Sequence, residues 1–361
     1  MKYIDEFRDR KLAGKILAEI NKLNLKRLNL MEVCGTHTMA IFRNGLKQLL
    51  PENINLISGP GCPVCVTSQI DIDKMIALAR QSNIIITTFG DMLRVPGSKS
   101  SLEKERANGA EIRIVYSPLD ALEIARQNKN KTVIFLGVGF ETTSPAVASA
   151  VDDAKNNKIK NFFLYSNHKL IPPAMQALLK NKQIRLDGFI CPGHVSTIIG
   201  SKAYEFIARD YHIPCVISGF EPVDILESIL LLCRQVSRKT CLVEIQYKRA
   251  VHTKGNLLAQ RLLKKVFQIT DAQWRGLGTI KDSGYKLNKT YKRFDAQERF
   301  ILKINKSEEK PGCLCGKVLC GLSNPNECGL FAKGCTPENP YGPCMVSSEG
   351  TCAAWYKYGR S

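Results

Sequence analysis

No stretch of this chain stays apolar for the ~18 positions that a membrane-spanning helix needs. No P-loop is present either, so ATP-driven chemistry would lack its usual phosphate cradle. Gly137 and Gly139 form only half of a dinucleotide fingerprint, because the full GxGxxG is missing. Aromatic residues are scarce at 7%, and no RNA- or DNA-binding motif accompanies the formal charge of +19. Nucleic acid is therefore not expected as a partner, and neither is a membrane. Between Arg234 and Lys310 there are nineteen Lys and Arg against seven Asp and Glu. That excess reads as a basic, solvated face, with docking of an acidic protein partner as the alternative. Residues 1–24 lack the uninterrupted apolar run of a signal peptide. Their apolar residues recur at helical spacing, which predicts an amphipathic helix, packed on the C-terminal part of a cytoplasmic protein.

What the chain has in quantity is cysteine. There are fourteen, seven of them between Cys313 and Cys352. In a reducing compartment, that number points to metal or redox work rather than a disulfide framework. Hydrophobic residues make up 44% of 361, enough for a sizeable core and two or three domains.

From Leu28 to about Tyr247, short β-type runs alternate with amphipathic helical stretches. The runs are Leu28–Val33, Ile54–Ser58, Ile84–Thr88, Ile112–Tyr116, Thr132–Leu136, Asn161–Tyr165, Gly188–Cys191, Cys215–Ser218 and Leu242–Ile245. Helices are expected over Ser68–Arg80, Pro118–Gln127, Pro145–Asn156, Pro172–Lys180 and Pro222–Val236, four of them with proline suited to the first turn. The rhythm is that of βαβ units and parallel sheets, so the fold class is α/β, with two smaller sheets favoured over one of nine strands. Tyr116–Lys131 is the expected crossover between them. Beyond Lys248 the alternation fades. Val251–Leu263 reads as a basic helix, Trp274–Lys289 as turn-rich, and Lys306–Gly312 as a charged linker. The rest is rich in Cys, Gly and Pro and cannot bury enough apolar area alone, so a metal cluster is the natural substitute core.

Several strand ends carry reactive side chains, which is where open parallel sheets build ligand sites. Cys34 and His37 follow the first run. Cys34 as thiolate is a candidate iron ligand, and a buried small residue is the alternative. His37 is a candidate ligand or a structural histidine. Cys62-Pro63-Val64-Cys65 is a CxxC before a helix, which allows a reversible disulfide, a metal chelate with Cys62 as ligand, or both in turn. Zinc held by Cys34, His37, Cys62 and Cys65 is a further reading, because the two loops follow consecutive runs. Glu141 and Thr142 open a helix, either as capping groups or as hydrogen-bonding groups of a site. His194, after Cys191-Pro192-Gly193, is a candidate acid–base group, ligand or hydrogen-bond donor. The seven tail cysteines match neither zinc-finger nor ferredoxin spacings, and an iron–sulfur or zinc site with all-thiolate ligation would use four of them.

Taken in order, Met31–Thr38, Gly59–Val66, Thr88–Gly97, Gly139–Thr143, Pro192–Ser196, Trp274–Gly278 and Met345–Trp355 make the chain resemble the HypD family of hydrogenase maturation proteins over nearly its whole length. The resemblance implies two parallel-sheet α/β domains facing a cleft, plus a small Cys-rich iron–sulfur domain. The expected division is 1–24, 25–120 with Cys34, Cys62 and Cys65, 121–247 with Glu141 and His194, and 248–361. It also implies assembly of the Fe(CN)2CO unit of nickel–iron hydrogenases, with HypC sharing the iron and the HypE–HypF pair delivering cyanide. Cys34 would be the iron-binding thiolate, and Cys62 and Cys65 a redox dithiol. A family spacing of Cys-x14-Cys-x6-Cys-x16-Cys would assign a [4Fe-4S] cluster to Cys313, Cys328, Cys335 and Cys352, with Cys315 a rival for the first position. Glu141, Thr142, His194 and His37 would hydrogen-bond around the diatomic ligands. Rival readings are a stand-alone thiol–disulfide oxidoreductase and a passive iron–sulfur interaction module.

Overall fold

A computed structural model describes residues 5–302, 304, 307, 309 and 311–359. Parts of the expected N-terminal helix and of the Lys306–Gly312 linker lie outside the described residues. The chain is α/β, and its strands form two parallel sheets and one antiparallel hairpin. They are β1 Leu28–Glu32, β2 Ile54–Ser58, β3 Ile84–Thr88, β4 Glu111–Ile114, β5 Thr132–Gly139, β6 Phe162–His168, β7 Gly188–Pro192, β8 Cys215–Ser218, β9 Val243–Ile245, β10 Phe267–Trp274 and β11 Gly278–Leu287. The first sheet runs β2-β1-β7-β8-β9 and the second β4-β3-β5-β6. Every residue of β3 and β7 is buried, as expected of strands covered on both faces.

Sheet membership does not follow the expected division at residue 120. β1 and β2 share a sheet with β7–β9, and β3 and β4 with β5 and β6. The chain leaves the first sheet after β2, builds the whole second sheet, and returns as β7 beside β1, with Leu30 opposite Gly188. Strand pairing is a contact between edges, and sequence rhythm carries no record of which edge a strand joins. For the same reason, Tyr116–Lys131 is not the link between sheets. Its helix, Pro118–Gln127, leads from β4 to β5 within the second sheet, capped by the reciprocal Ser117–Asp120 pair.

The helix Arg10–Lys22 starts on the Asp9 side chain, which accepts from the amides of Lys11 and Leu12. Its buried Ile16 and Ile20 pack with Ile225, Leu226 and Ile229 of the helix Pro222–Arg238. It therefore lies on the first sheet's outer helices, not on the C-terminal part as expected. The 17-residue helix Pro222–Arg238 offers an apolar stripe long enough to cover that of its partner, which the short tail helices do not.

The basic helix starts later than expected, at Leu257–Val266, because Asn256 caps it by accepting from the Ala259 amide at 3.0 Å. The segment read as turn-rich holds β10, β11 and the turn between them. Gly276, at φ 78°, and Gly278, at φ 72°, supply the left-handed conformations of that turn. Half of the residues in the two hairpin strands are exposed and the buried ones are irregularly spaced, so its alternation is weak in sequence. The turn end is anchored, with Trp274 buried and bridged to Thr67. In the tail, the helices Cys315–Leu319 and Pro343–Val346 both pack on Pro63–Val66, and Thr351–Tyr358 packs on Gly35–Arg43. No helix among the described residues is long and apolar enough to cross a membrane.

Candidate functional site

The site is built where β1 and β2 end side by side. Cys34 ends the β1 turn and is the N-cap of the helix Gly35–Arg43. Gly59-Pro60-Gly61 follows β2 and packs directly beneath it. The Gly35 amide donates to the Gly61 carbonyl at 2.9 Å, and the Gly59 amide to the Glu32 carbonyl at 2.8 Å. A Cβ on Gly61 would lie 2.2 Å from the Cys34 nitrogen, so only glycine allows this approach. Beneath Cys34, the buried Glu32 carboxyl accepts from the Cys34 amide at 3.0 Å and from the Thr38 hydroxyl. Burial raises the Glu32 pKa to about 8, against the pull of those hydrogen bonds.

Cys34 is 9% exposed. Burial, with the negative charges of Glu349 and Glu32, pushes its pKa up to about 12. At neutral pH it is a thiol, and a cation must arrive before it becomes a thiolate ligand. Glu349 comes from the tail and accepts from the Thr36 hydroxyl at 2.7 Å. Its carbonyl would sit 2.4 Å from a Cβ on Gly35. The tail thus closes one side of the Cys34 turn.

Cys62 and Cys65 are joined by a disulfide, with Cα atoms 5.2 Å apart. Cys62 is 3% exposed and Cys65 is fully buried. The Cys65 sulfur lies 3.9 Å from the carbonyl of Pro343 in the tail. The next residue, Cys344, faces a pocket that it lines with Cys313, Cys315, Cys328, Cys335 and Cys352. The Cys313–Cys315, Cys315–Cys344 and Cys344–Cys352 thiols are close enough to shift one another's ionisation. The expected four are all present, and Cys315 and Cys344 stand among them. Cys320 points elsewhere, toward the Gly276 carbonyl at 3.4 Å. Among the described residues, no three Cys, His, Asp or Glu side chains form a group that would hold a single metal ion. Six thiols around one pocket are the donor set of a multi-iron cluster, so the residues fit that group.

His37 does not join Cys34 and the CxxC in a common ligand set. Its Nε2 lies 2.9 Å from the Gly219 carbonyl and its ring stacks on Phe220 at 4.7 Å. Burial lowers its pKa to about 4, so the ring is neutral, and Nδ1 has no partner among the described residues. His194 stacks on the other face of Phe220 at 3.9 Å, exposed at the end of the three-ring stack. Glu141 does not cap the helix Ser144–Asn156. It accepts from the Ile171 amide at 3.0 Å, at the start of the helix Ile171–Lys180. Its second oxygen has no partner among the described residues, and burial raises its pKa to about 7. Thr142 is exposed. No hydrogen bond or ion pair among the described residues joins Glu141, Thr142 or His194 to Cys34.

Sequence reasoning passed over Glu32, Phe220 and Glu349 within its motifs and strand ends and gave none of them a role. Phe220 stands at the end of β8 and Glu349 in Ser347-Ser348-Glu349-Gly350, but neither residue type announces a role beside a cysteine.

The family model HypD, described as "Hydrogenase formation hypA family", matches residues 11–359. This chain belongs to the HypD family. It is 47% identical over 371 residues to the hydrogenase maturation factor HypD of Azotobacter vinelandii, covering 100% of this chain and 97% of the relative. The HypD of Rhodobacter capsulatus is 46% identical, covering 99% and 98%. That of Escherichia coli K12 is 43% identical, also covering 99% and 98%. The HypD match spans β1 through the tail, so the Cys34 turn, the disulfide and the thiol pocket all fall within it.

Proposed function

We propose that this chain is a maturation scaffold in the cytoplasm on which, with HypC, the Fe(CN)2CO unit of nickel–iron hydrogenases is assembled. Cys34 binds the iron, which is the substrate of the site, and HypE with HypF supplies its cyanide. The observation that carries the reading is the packing of three cysteine groups about one junction. The Cys34 turn rests on the CxxC loop, the CxxC rests on the tail at Pro343, and the tail returns to Cys34 through Glu349.

A [4Fe-4S] cluster held by Cys313, Cys328, Cys335 and Cys352, when bound, would supply one-electron chemistry. Reduction of the Cys62–Cys65 disulfide takes two electrons and leaves two thiols with the uptake of two protons, or a thiol and a thiolate with the uptake of one. The Cys34 thiol releases its proton when iron binds, and Glu32 fixes the turn by holding the Cys34 amide. His37 and His194, locked by Phe220, supply ring nitrogens at the neighbouring strand ends, and cyanide nitrogen accepts hydrogen bonds where carbon monoxide accepts them poorly. Glu141 and Thr142 belong to the same reading. A stand-alone thiol–disulfide oxidoreductase is less favoured, because a disulfide this buried excludes a bulky substrate.

The test is anaerobic purification with HypC, followed by infrared spectroscopy. Cyanide and carbonyl stretches are expected in the complex. Cys34→Ser should fold and keep its tail cluster but lack the bands, because serine oxygen is a harder donor than thiolate. Bands that persist in Cys34→Ser would move the iron to Cys62 and Cys65.

A further inference from the structure

Arg275 is 5% exposed, and its cation is one that neither the Cys34 turn nor the thiol pocket has so far required. It sits at the tip of the β10–β11 hairpin, and each hydrogen bond it donates goes to the CxxC segment or the tail linker. Its amide donates to the Val66 carbonyl at 2.9 Å, and its Nε to the Thr67 carbonyl at 3.1 Å. One terminal nitrogen donates to Gln69 Oε1 at 3.1 Å, and the other to Glu309 Oε1 at 3.3 Å. The carbonyls it takes close the helix Pro63–Val66, where a cation is favourable. On the opposite side of the same turn, a Cβ on Gly276 would lie 2.5 Å from the Gly316 carbonyl, in the helix that carries Cys315.

We infer that Arg275 is a positioning residue that clamps the Cys62–Cys65 turn against the thiol pocket and holds a buried positive charge between them. The inference rests on the reading of Cys62 and Cys65 as a redox pair beside that pocket. A planar guanidinium suits the task, because three of its nitrogens are engaged at once and lysine has one. Such a charge stabilises a thiolate more than a disulfide, so it pulls the couple toward the reduced side.

The experiment uses full-length protein with Arg275→Lys and Arg275→Met. Alkylation with mass readout in graded glutathione buffers gives the Cys62–Cys65 equilibrium. Amide hydrogen exchange reports protection at 64–67 and 315–320. Arg275→Met should shift the equilibrium toward disulfide by about threefold to tenfold, which is ~15–30 mV for a two-electron couple. Both segments should lose protection together while β1 and β3 keep theirs. Arg275→Lys should recover most of the equilibrium and little of the protection, separating charge from geometry. Wild-type equilibrium together with wild-type protection in folded Arg275→Met would overturn the inference. If Arg275→Met fails to fold, Arg275→Lys with undiminished protection overturns it. If the wild-type pair exchanges in no buffer, the redox reading fails instead, and the clamp is judged on hydrogen exchange alone.

Discussion

Single residues in this chain are set by burial more than by neighbours. Glu141 is 2% exposed and its pKa is raised to about 7, so it is protonated when folded well above the pH at which an unfolded glutamate ionises. The folded state therefore holds one more proton between about pH 4.5 and 7. Stability falls as pH rises through that window, by ~1.4 kcal/mol per pH unit. Glu141→Gln lacks this slope, so its melting temperature should gain on wild type between pH 5 and 7. An unchanged difference across that range would mean that the carboxylate is already ionised in the fold. Asp224 is instead set by its neighbours. It is fully buried, but Arg249 pairs with it and Gln246 donates to it at 2.8 Å. Arg249→Met would leave that carboxylate unpaired and should cost about 3–5 kcal/mol in urea unfolding. Cys34, Cys62 and Cys65 were legible from residue type and position at strand ends. The Phe220 stack was not, because a ring between two histidines follows from where β1, β7 and β8 terminate together.

At the scale of elements, the sequence resolved the strands and most helices of both sheets. Ile54–Ser58, Ile84–Thr88 and Cys215–Ser218 are strands with the expected bounds, and Pro118–Gln127 is the expected helix. Periodicity and proline position are local signals, and they recovered local structure. Partner choice is not local, so the allocation of β1 and β2, the link at Pro118–Gln127 and the seat of the N-terminal helix all came out differently. The last of these is testable. Ile16→Ala and Ile20→Ala should each cost about 2–4 kcal/mol by opening a cavity against Ile225 and Ile229. Thiol alkylation of the tail should be unchanged in both variants. Increased tail reactivity would mean that the helix also supports the C-terminal part.

At the scale of the whole molecule, the tail is the part without a core of its own, and its buried Cys315, Leu319, Cys320 and Cys344 join the large apolar cluster that both sheets share. Anaerobic protein should carry about four irons per chain in the tail cluster. Removing them with a chelator should expose 313–352 to protease while β1–β9 keep their hydrogen-exchange protection. Concerted loss of protection in both sheets would show that the metal supports the entire fold. Cys328→Ala and Cys335→Ala should lose the iron. Cys315→Ala should retain it, and equal loss there would make Cys315 a ligand.

The return of the chain to β1 also orders events during synthesis. β3–β6 form a contiguous run, so every strand of the second sheet leaves the ribosome before β7 does. β1 and β2 emerge first, yet β1 must wait for a neighbour at Gly188. Throughout that interval the Cys34 turn and the CxxC hang from a two-stranded ribbon, which is marginal in water. A nascent chain of residues 1–180, extended by a linker that carries it clear of the ribosome, should therefore show a protease-resistant second sheet and freely alkylated Cys34, Cys62 and Cys65. Premature metal capture by these three thiols is then a hazard of translation rather than of the finished protein.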